Sequence, residues 1–142
     1  MNVNITRIDK SLPLPTYETK GALGFDFLAR NDMVAKAQEI VLIPSNVIIK
    51  VPEGYALFVI PRSSTPKKKQ LLMPHSIGLI DSDYSGSSDE IFLQFYNFSN
   101  KNVDIKKGEK IAQGIFVKIA IAEFQEQENN KNASRGGFGS TD

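Results

Sequence analysis

Ile40-Val41-Leu42-Ile43, then Pro44-Ser45-Asn46, then Val47-Ile48-Ile49-Lys50-Val51, then Pro52-Glu53-Gly54, then Tyr55-Ala56-Leu57-Phe58-Val59-Ile60 and Pro61 form one continuous stretch of the chain. Each apolar segment is short, rich in β-branched and aromatic side chains, and stopped by turn residues. Side chains branched at Cβ are stiff and pack well on a pleated surface, whereas Pro and Gly interrupt or turn the backbone. The stretch therefore reads as three successive strands with tight connections.

The same grammar extends outward. Ile91-Phe92-Leu93-Gln94-Phe95-Tyr96 and Val103-Asp104-Ile105 follow, and then the turn Lys107-Gly108-Glu109. The last strand candidate has Ile111, Ile115, Val117, Ile119 and Ile121 at odd positions, against Ala112, Lys118, Ala120 and Ala122 at even ones. That period of two predicts a strand running to Ile121 with its odd positions inward. No stretch long enough for a helix keeps a helical stripe with caps. Many short strands between frequent turns predict an all-β sandwich, barrel or jelly roll.

Composition narrows the chemistry. The 142 residues suit one domain with its own core. Seventeen Lys and Arg against sixteen Asp and Glu leave a formal charge of +1, so phosphate binding must be local; no field for nucleic acid or a membrane surface is expected. There is no Cys and a single His, His75, which excludes disulfides, Cys-ligated zinc and a multi-His metal site within one chain. The absence of Cys fits a reducing cytosol, and residues 1–10 lack a signal-peptide core, so a cytoplasmic protein is expected.

Residues 125–132 are polar and read as a linker beyond a β domain at 1–124. Residues 133–142 carry three glycines and Phe138, too little apolar surface to order alone, so 125–142 is expected to be a mobile arm. Two readings stay open there: a frayed terminus, or backbone N–H groups that close around an anion beside an aromatic plate.

Three segments carry candidate chemistry. In Pro61-Arg62-Ser63-Ser64-Thr65-Pro66, Ser63 or Ser64 is placed to cap a short helical turn whose N–H groups, with the Arg62 fork, suit a phosphate. In Gly78-Leu79-Ile80-Asp81-Ser82-Asp83-Tyr84-Ser85-Gly86, two carboxylates two residues apart share a face if the stretch is extended. A carboxylate at the root of a hairpin can act as a general base or hold a metal-bound water. In Gly108-Glu109-Lys110-Ile111-Ala112-Gln113, Gln113 falls in the inward set and needs a polar partner, a ligand or a cross-strand bond. Each segment also has a plain structural reading as a capped turn, an acidic surface turn or a paired amide.

In order along the chain, these segments resemble the motifs of the homotrimeric dUTPase family. The first is Ala22-Leu23-Gly24-Phe25-Asp26-Phe27, the second Pro61-Arg62-Ser63-Ser64, and the third residues 78–86. The fourth is residues 108–113, and the fifth is Gly136-Gly137-Phe138-Gly139-Ser140-Thr141. Leu12-Pro13-Leu14-Pro15-Thr16-Tyr17 is similar to the segment before the first motif. The resemblance implies a jelly-roll homotrimer with a Gly-rich C-terminal arm and sites at subunit interfaces, hydrolysing dUTP to dUMP and pyrophosphate with Mg2+. It implies that Asp81 deprotonates the attacking water, that Tyr84 lies under the deoxyribose, and that backbone at Gly78 and Ile80 reads uracil. Arg62, Ser63, Ser64 and Gln113 would hold phosphates, and Asp26 the hydration shell of Mg2+. Phe138 would stack on uracil, with Arg135, Gly139, Ser140 and Thr141 at the arm's end of the substrate.

Departures from the family pattern are specific. Ser64 stands where the family has Gly, His75 where some relatives have Asn, and residues 87–90 lengthen the hairpin. Arg135 lies nearer Phe138 than the family's Arg does. Two rival readings are dCTP deaminase, of similar fold, and a nucleotide-binding regulator without turnover. The deaminase family has Glu where this chain has Gln94, and a neutral amide cannot accept a proton at neutral pH. Asp81 and the arm argue against a pure binder.

Overall fold

Strands consecutive in sequence are never neighbours in a sheet here, and that rule organises the whole molecule among the described residues. The computed structural model describes residues 1–130 and 132–137. Its strands are β1 (Asn4–Arg7), β2 (Phe25–Leu28), β3 (Met33–Ala35), β4 (Ile40–Pro44), β5 (Val47–Lys50) and β6 (Tyr55–Pro61). After the short helix α1 (Thr65–Lys69) come β7 (Leu71–Leu72), β8 (Gly78–Ile80), β9 (Phe92–Asn97), β10 (Val103–Ile105) and β11 (Lys110–Lys118). All pairings are antiparallel: a four-stranded sheet β2-β11-β6-β8, a three-stranded sheet β4-β9-β7, and the pairs β1-β5 and β10-β3. This is the jelly-roll-like, almost all-β architecture that the short apolar segments predict.

The corner between β4 and β5 shows how a turn sends the chain from one sheet to another. Asn46 takes φ +71°, a conformation that Asn tolerates better than most residues. It is buried, and its side chain bonds both backbone polar groups of Asp9: Nδ2 donates to Asp9 O at 3.0 Å, and Oδ1 accepts from Asp9 N at 2.6 Å. Ser45 N donates to Ile91 O and Ile91 N to Val47 O, both at 3.0 Å, so the chain entering β9 bridges the corner. The core between the sheets holds Phe27, Leu57, Leu93, Phe95 and Ile105, each fully buried.

Strand β11 is bonded along both edges, to β2 and to β6. Its end differs from the sequence expectation: it stops at Lys118, and Ile119 and Ile121 are exposed. The reason is the partner strand. β6 starts at Tyr55, opposite Lys118, so Ile119 N finds only the Gly54 carbonyl at 3.0 Å and the ladder ends. The inward parity also differs. Ala112, Gly114 and Phe116 share the face of core residues Val59 and Leu57, whereas Gln113, Ile115 and Val117 share the opposite face with Ile60 and Phe58. A register irregularity between Lys110 and Ala112 shifts the phase, which is why Ile111 is still buried.

Gly114 is small because β2 packs aromatic rings on it. A Cβ there would lie 2.8 Å from the Phe27 ring and closer still to Phe25. Phe25 is already held by Phe27 at 5.2 Å and Phe116 at 5.7 Å between ring centres. Gly114→Ala should therefore destabilise the protein by about 1–3 kcal/mol, through overpacking against the Phe25 and Phe27 rings. A urea midpoint equal to that of the parent protein would show that the rings can turn aside.

Candidate active site

Two clusters of chemistry-bearing side chains stand at different ends of the four-stranded sheet. The first is centred on Asp26 in β2, only 3% exposed. Antiparallel register sets Gln113 directly opposite Asp26, and Ile60 opposite Gln113. Two residues beyond Ile60, Arg62 turns back so that its Nε lies 2.9 Å from Asp26 Oδ1. Lys110 brings its Nζ to 3.3 Å from Asp26 Oδ2 and pairs also with Glu18. The Arg62 contact is an ion pair rather than an aligned hydrogen bond, since Asp26 Oδ1 and Oδ2 and Arg62 Nε all lack a partner in hydrogen-bond geometry. The Glu18 carboxylate, hydrogen-bonded by Lys110, pushes the ammonium above its ordinary pKa and is itself held below the usual carboxylate range. At neutral pH Lys110 is therefore a fixed cation.

Beside Asp26 a cleft is lined by Arg62, Ser64, Thr65, Lys68, Lys69, Glu109 and Lys110. Ser64 occupies the N-cap position of α1, but its hydroxyl makes no capping bond, and Ser63 is exposed; the expected side-chain cap is absent. Pro66 does stand in the first turn, where its missing N–H costs nothing. The five-residue helix has little dipole to offer, so side-chain cations set the field of the cleft. Thr65, which sequence reasoning passed over, is buried and donates from Oγ1 to Ile111 O at 3.1 Å, tying α1 to β11.

The second cluster is the hairpin after β8. Gly78 and Ile80 pair with Val59 and Leu57 of β6, and Gly78 is pressed against Val59, whose Cβ would lie 3.1 Å from an added methyl group. Asp81 follows at once and is exposed. The expectation that Asp81 and Asp83 share the face of an extended stretch is not met. The strand ends at Ile80 and the chain turns, with Tyr84 N donating to Asp81 O at 3.2 Å and Ser85 N to Asp83 O at 3.0 Å. The two carboxylates sit in this turn beside a groove shared with Tyr55, Phe58 and residues 119–121. Tyr84 is 39% exposed, its phenol donating to Glu90 O at 3.1 Å. His75 is an exposed loop residue that borders a hollow with Gly78, Ile80 and Gln94.

The sheet thus brings Asp26, Arg62 and Gln113 together and leaves Asp81 and Tyr84 apart from them. Ile80 pairs with Leu57, and Gln113 with Ile60. Asp26 and Asp81 are therefore offset by about four residues along the strands and three strand spacings across them, roughly 20 Å. Arg135 is exposed on the C-terminal segment, where Gly136 N donates to Ser134 Oγ at 3.2 Å. Phe138, Gly139, Ser140 and Thr141 lie outside the described residues. Lys110 and Glu18 escaped sequence reasoning because only the pairing of β11 with β2 reveals that a cation of the fourth motif faces the acid of the first. Among the described residues no group of three or more His, Asp or Glu side chains could hold a metal ion alone, and no helix is long and apolar enough to cross a membrane.

Comparison with known proteins agrees with this architecture. The dUTPase family profile matches residues 10–142. Deoxyuridine 5'-triphosphate nucleotidohydrolase of Dictyoglomus turgidum is 40% identical, over 99% of this chain and 98% of that protein. The crystal structure of dUTPase from Streptococcus mutans superposes with TM-score 0.78 at 31% identity, covering 84% of this chain and 98% of that one. The dUTPase of Staphylococcus bacteriophage 80alpha, in a structure with dUPNHPP, shares the fold with TM-score 0.84 at 24% identity, over 98% and 97% of the two chains. The chain belongs to the dUTPase family.

Proposed function

We propose that this chain is a dUTP diphosphatase that cuts dUTP into dUMP and pyrophosphate in a site shared between subunits of a homotrimer. The observation that carries the reading is the division of the site itself. The phosphate-facing group of Asp26, Arg62, Ser64, Lys110 and Gln113 is set apart from the Asp81–Tyr84 turn, with Asp26 and Asp81 roughly 20 Å apart in one chain, whereas an acid that activates water at the α-phosphorus must stand beside the phosphates. Assembly removes the conflict when the turn of one subunit meets the cationic cleft of another. Ile40, Leu42, Phe92, Leu79 and Leu72 are all exposed on sheet faces of the single chain, apolar area that a monomer seldom leaves in water. The dUPNHPP bound by the phage relative is a substrate analogue of the matching kind.

In this reading Asp81 takes the proton of the water that attacks the α-phosphorus, and the bond to the bridging oxygen breaks to release pyrophosphate. Tyr84 packs under the deoxyribose and fills the room a 2'-OH would need. The backbone at Gly78 and Ile80 reads the uracil edge. Arg62, Ser63, Ser64 and Gln113 bind phosphate oxygens, with Arg135, Gly139, Ser140 and Thr141 arriving from the arm and Phe138 stacking on the base.

Mg2+ fits as an ion carried with the polyphosphate. The Asp26 oxygens lack an aligned hydrogen bond yet already face two cations, a setting that suits a water-mediated contact and disfavours direct ligation. When bound, Mg2+ neutralises charge on the phosphates. Residues 1–124 form the β domain and 125–142 the linker and arm, and the cysteine-free chain is assigned to the cytoplasm.

Asp81→Asn should bind dUTP and keep its assembly while losing at least about 100-fold in kcat, read by pyrophosphate release; near-parent turnover by a folded variant removes Asp81 as the base. Tyr84→Ala should raise kcat/KM for UTP relative to dUTP, and an unchanged ratio excludes the ring as the sugar gauge. The eight residues 125–132 reach roughly 26 Å when extended, enough to serve a neighbouring site. Deleting residues 133–142 should leave the fold intact and lower kcat/KM sharply. Mixing that deletion with Asp81→Asn and allowing subunit exchange should restore activity if arm and acid of one site come from different chains. Mixed trimers without activity would assign both to the same chain.

A further inference from the structure

The hairpin that carries Asp81 and Tyr84 hangs between two fixed posts. The first is Ile80, hydrogen-bonded into the sheet opposite Leu57. The second is Glu90, whose carboxylate is almost wholly buried and grips two elements far away in sequence. Arg30 Nε donates to Glu90 Oε1 and its terminal Nη2 to Oε2, both at 2.9 Å, a fork-to-carboxylate match. Asn46 N donates to the same Oε1 at 2.8 Å. Arg30 is itself fixed, its backbone N donating to Pro44 O at 2.8 Å just beyond the strand that holds Asp26.

Tyr84 takes its position from this second post. Its phenol donates to the Glu90 carbonyl at 3.1 Å, so the ring is referenced to a backbone atom that the Arg30 pair immobilises. The lengthened part of the hairpin does not disturb that link. Gly86 N donates to Asp89 Oδ2 at 2.6 Å and Asp89 N to Gly86 O at 3.1 Å, closing residues 86–89 into a turn of their own. A buried carboxylate is tolerated only with its charge and lone pairs satisfied, so Glu90 cannot stay where it is once the guanidinium is gone.

We propose that Arg30 and Glu90 are positioning residues for substrate selection: their ion pair fixes the carbonyl that holds Tyr84, and so sets the ring that separates deoxyribose from ribose. The inference rests on the role given to Tyr84 above. Neither residue touches the substrate. Both act through the hairpin, and a small displacement of a positioning group can cost far more in rate than in stability.

The test compares kcat/KM for dUTP and UTP in full-length Arg30→Met, Arg30→Lys, Tyr84→Ala and Ile105→Ala. Ile105 is a buried core residue of β10, and its truncation supplies a destabilised control, with thermal midpoints measured for all variants. Arg30→Met should lower the dUTP/UTP ratio at least about fivefold, and Arg30→Lys, which keeps the charge without the fork, should restore part of it. Ile105→Ala should keep the parent ratio. A parent ratio in folded Arg30→Met, or in Arg30→Lys where the methionine variant does not fold, overturns the proposal, as does an equal loss in Ile105→Ala. If Tyr84→Ala changes the ratio while the Arg30 variants do not, only the positioning role fails. If Tyr84→Ala leaves it unchanged, the sugar gauge fails and the positioning role with it.

Discussion

The double-edged pairing of β11 is the constraint on which the site depends. A strand bonded on both sides cannot slide, because a slip of one residue would turn every side chain to the wrong face of both neighbours at once. Asp26, Gln113 and Ile60 therefore lie in one row across three strands, and the chain leaves β6 for Arg62 from a known point. Gly114 is what lets the row close, since the Phe25 and Phe27 rings occupy the space a side chain would take. Rigid strands thus hold Asp26, Lys110 and Gln113, while Arg62 reaches in from the segment just past β6.

The four-stranded sheet has two apolar faces where a simple sandwich has one. Leu57, Val59 and Phe27 fill the core, yet Phe58, Ile60, Ile115 and Val117 on the other face are only half-buried and Leu79 is exposed. Asp26 and Gln113 belong to this second face. An assembly that covers the face would also exclude water from the acid and amide at its edge, so the apolar contact and the polar site are one surface. In the proposed trimer, association energy and catalytic order come from the same strands.

The class of fold was legible from Ile40 to Pro61 because proline, asparagine and glycine stop apolar segments that are too short for helices. What was not legible depended on partners. The end of β11 at Lys118 follows from where β6 begins, and its inward parity from an irregularity at Lys110, neither of which has a mark in the local sequence. Asp81 and Asp83 looked like a same-face pair because alternation assumes a strand, whereas the strand stops one residue earlier. Residues whose chemistry is local, such as the acids of the hairpin and the Arg62 segment, could be picked out one by one. The Arg30–Glu90 pair joins residues far apart in sequence, and nothing at either position announces the other.

Charge explains how the two halves divide the work. A chain of formal charge +1 cannot attract a polyphosphate by its overall field, and the proposed function places the attraction in the cleft of Arg62, Lys68, Lys69 and Lys110. Asp26 and Glu18 hold Arg62 and Lys110 in place against their mutual repulsion, so the cations are in position before any ligand arrives. A cleft lined by such cations would favour phosphates of every nucleotide alike, since charge does not distinguish one base or sugar from another. The proposed function gives the selection for uracil and deoxyribose to the hairpin, whose own charged groups are acids that repel phosphate. In a single chain Asp26 and Asp81 stand roughly 20 Å apart, so in the proposed function neither half alone can both bind and choose. In the proposed trimer the meeting of two subunits joins phosphate affinity to base and sugar selection, which would tie turnover to the assembled state.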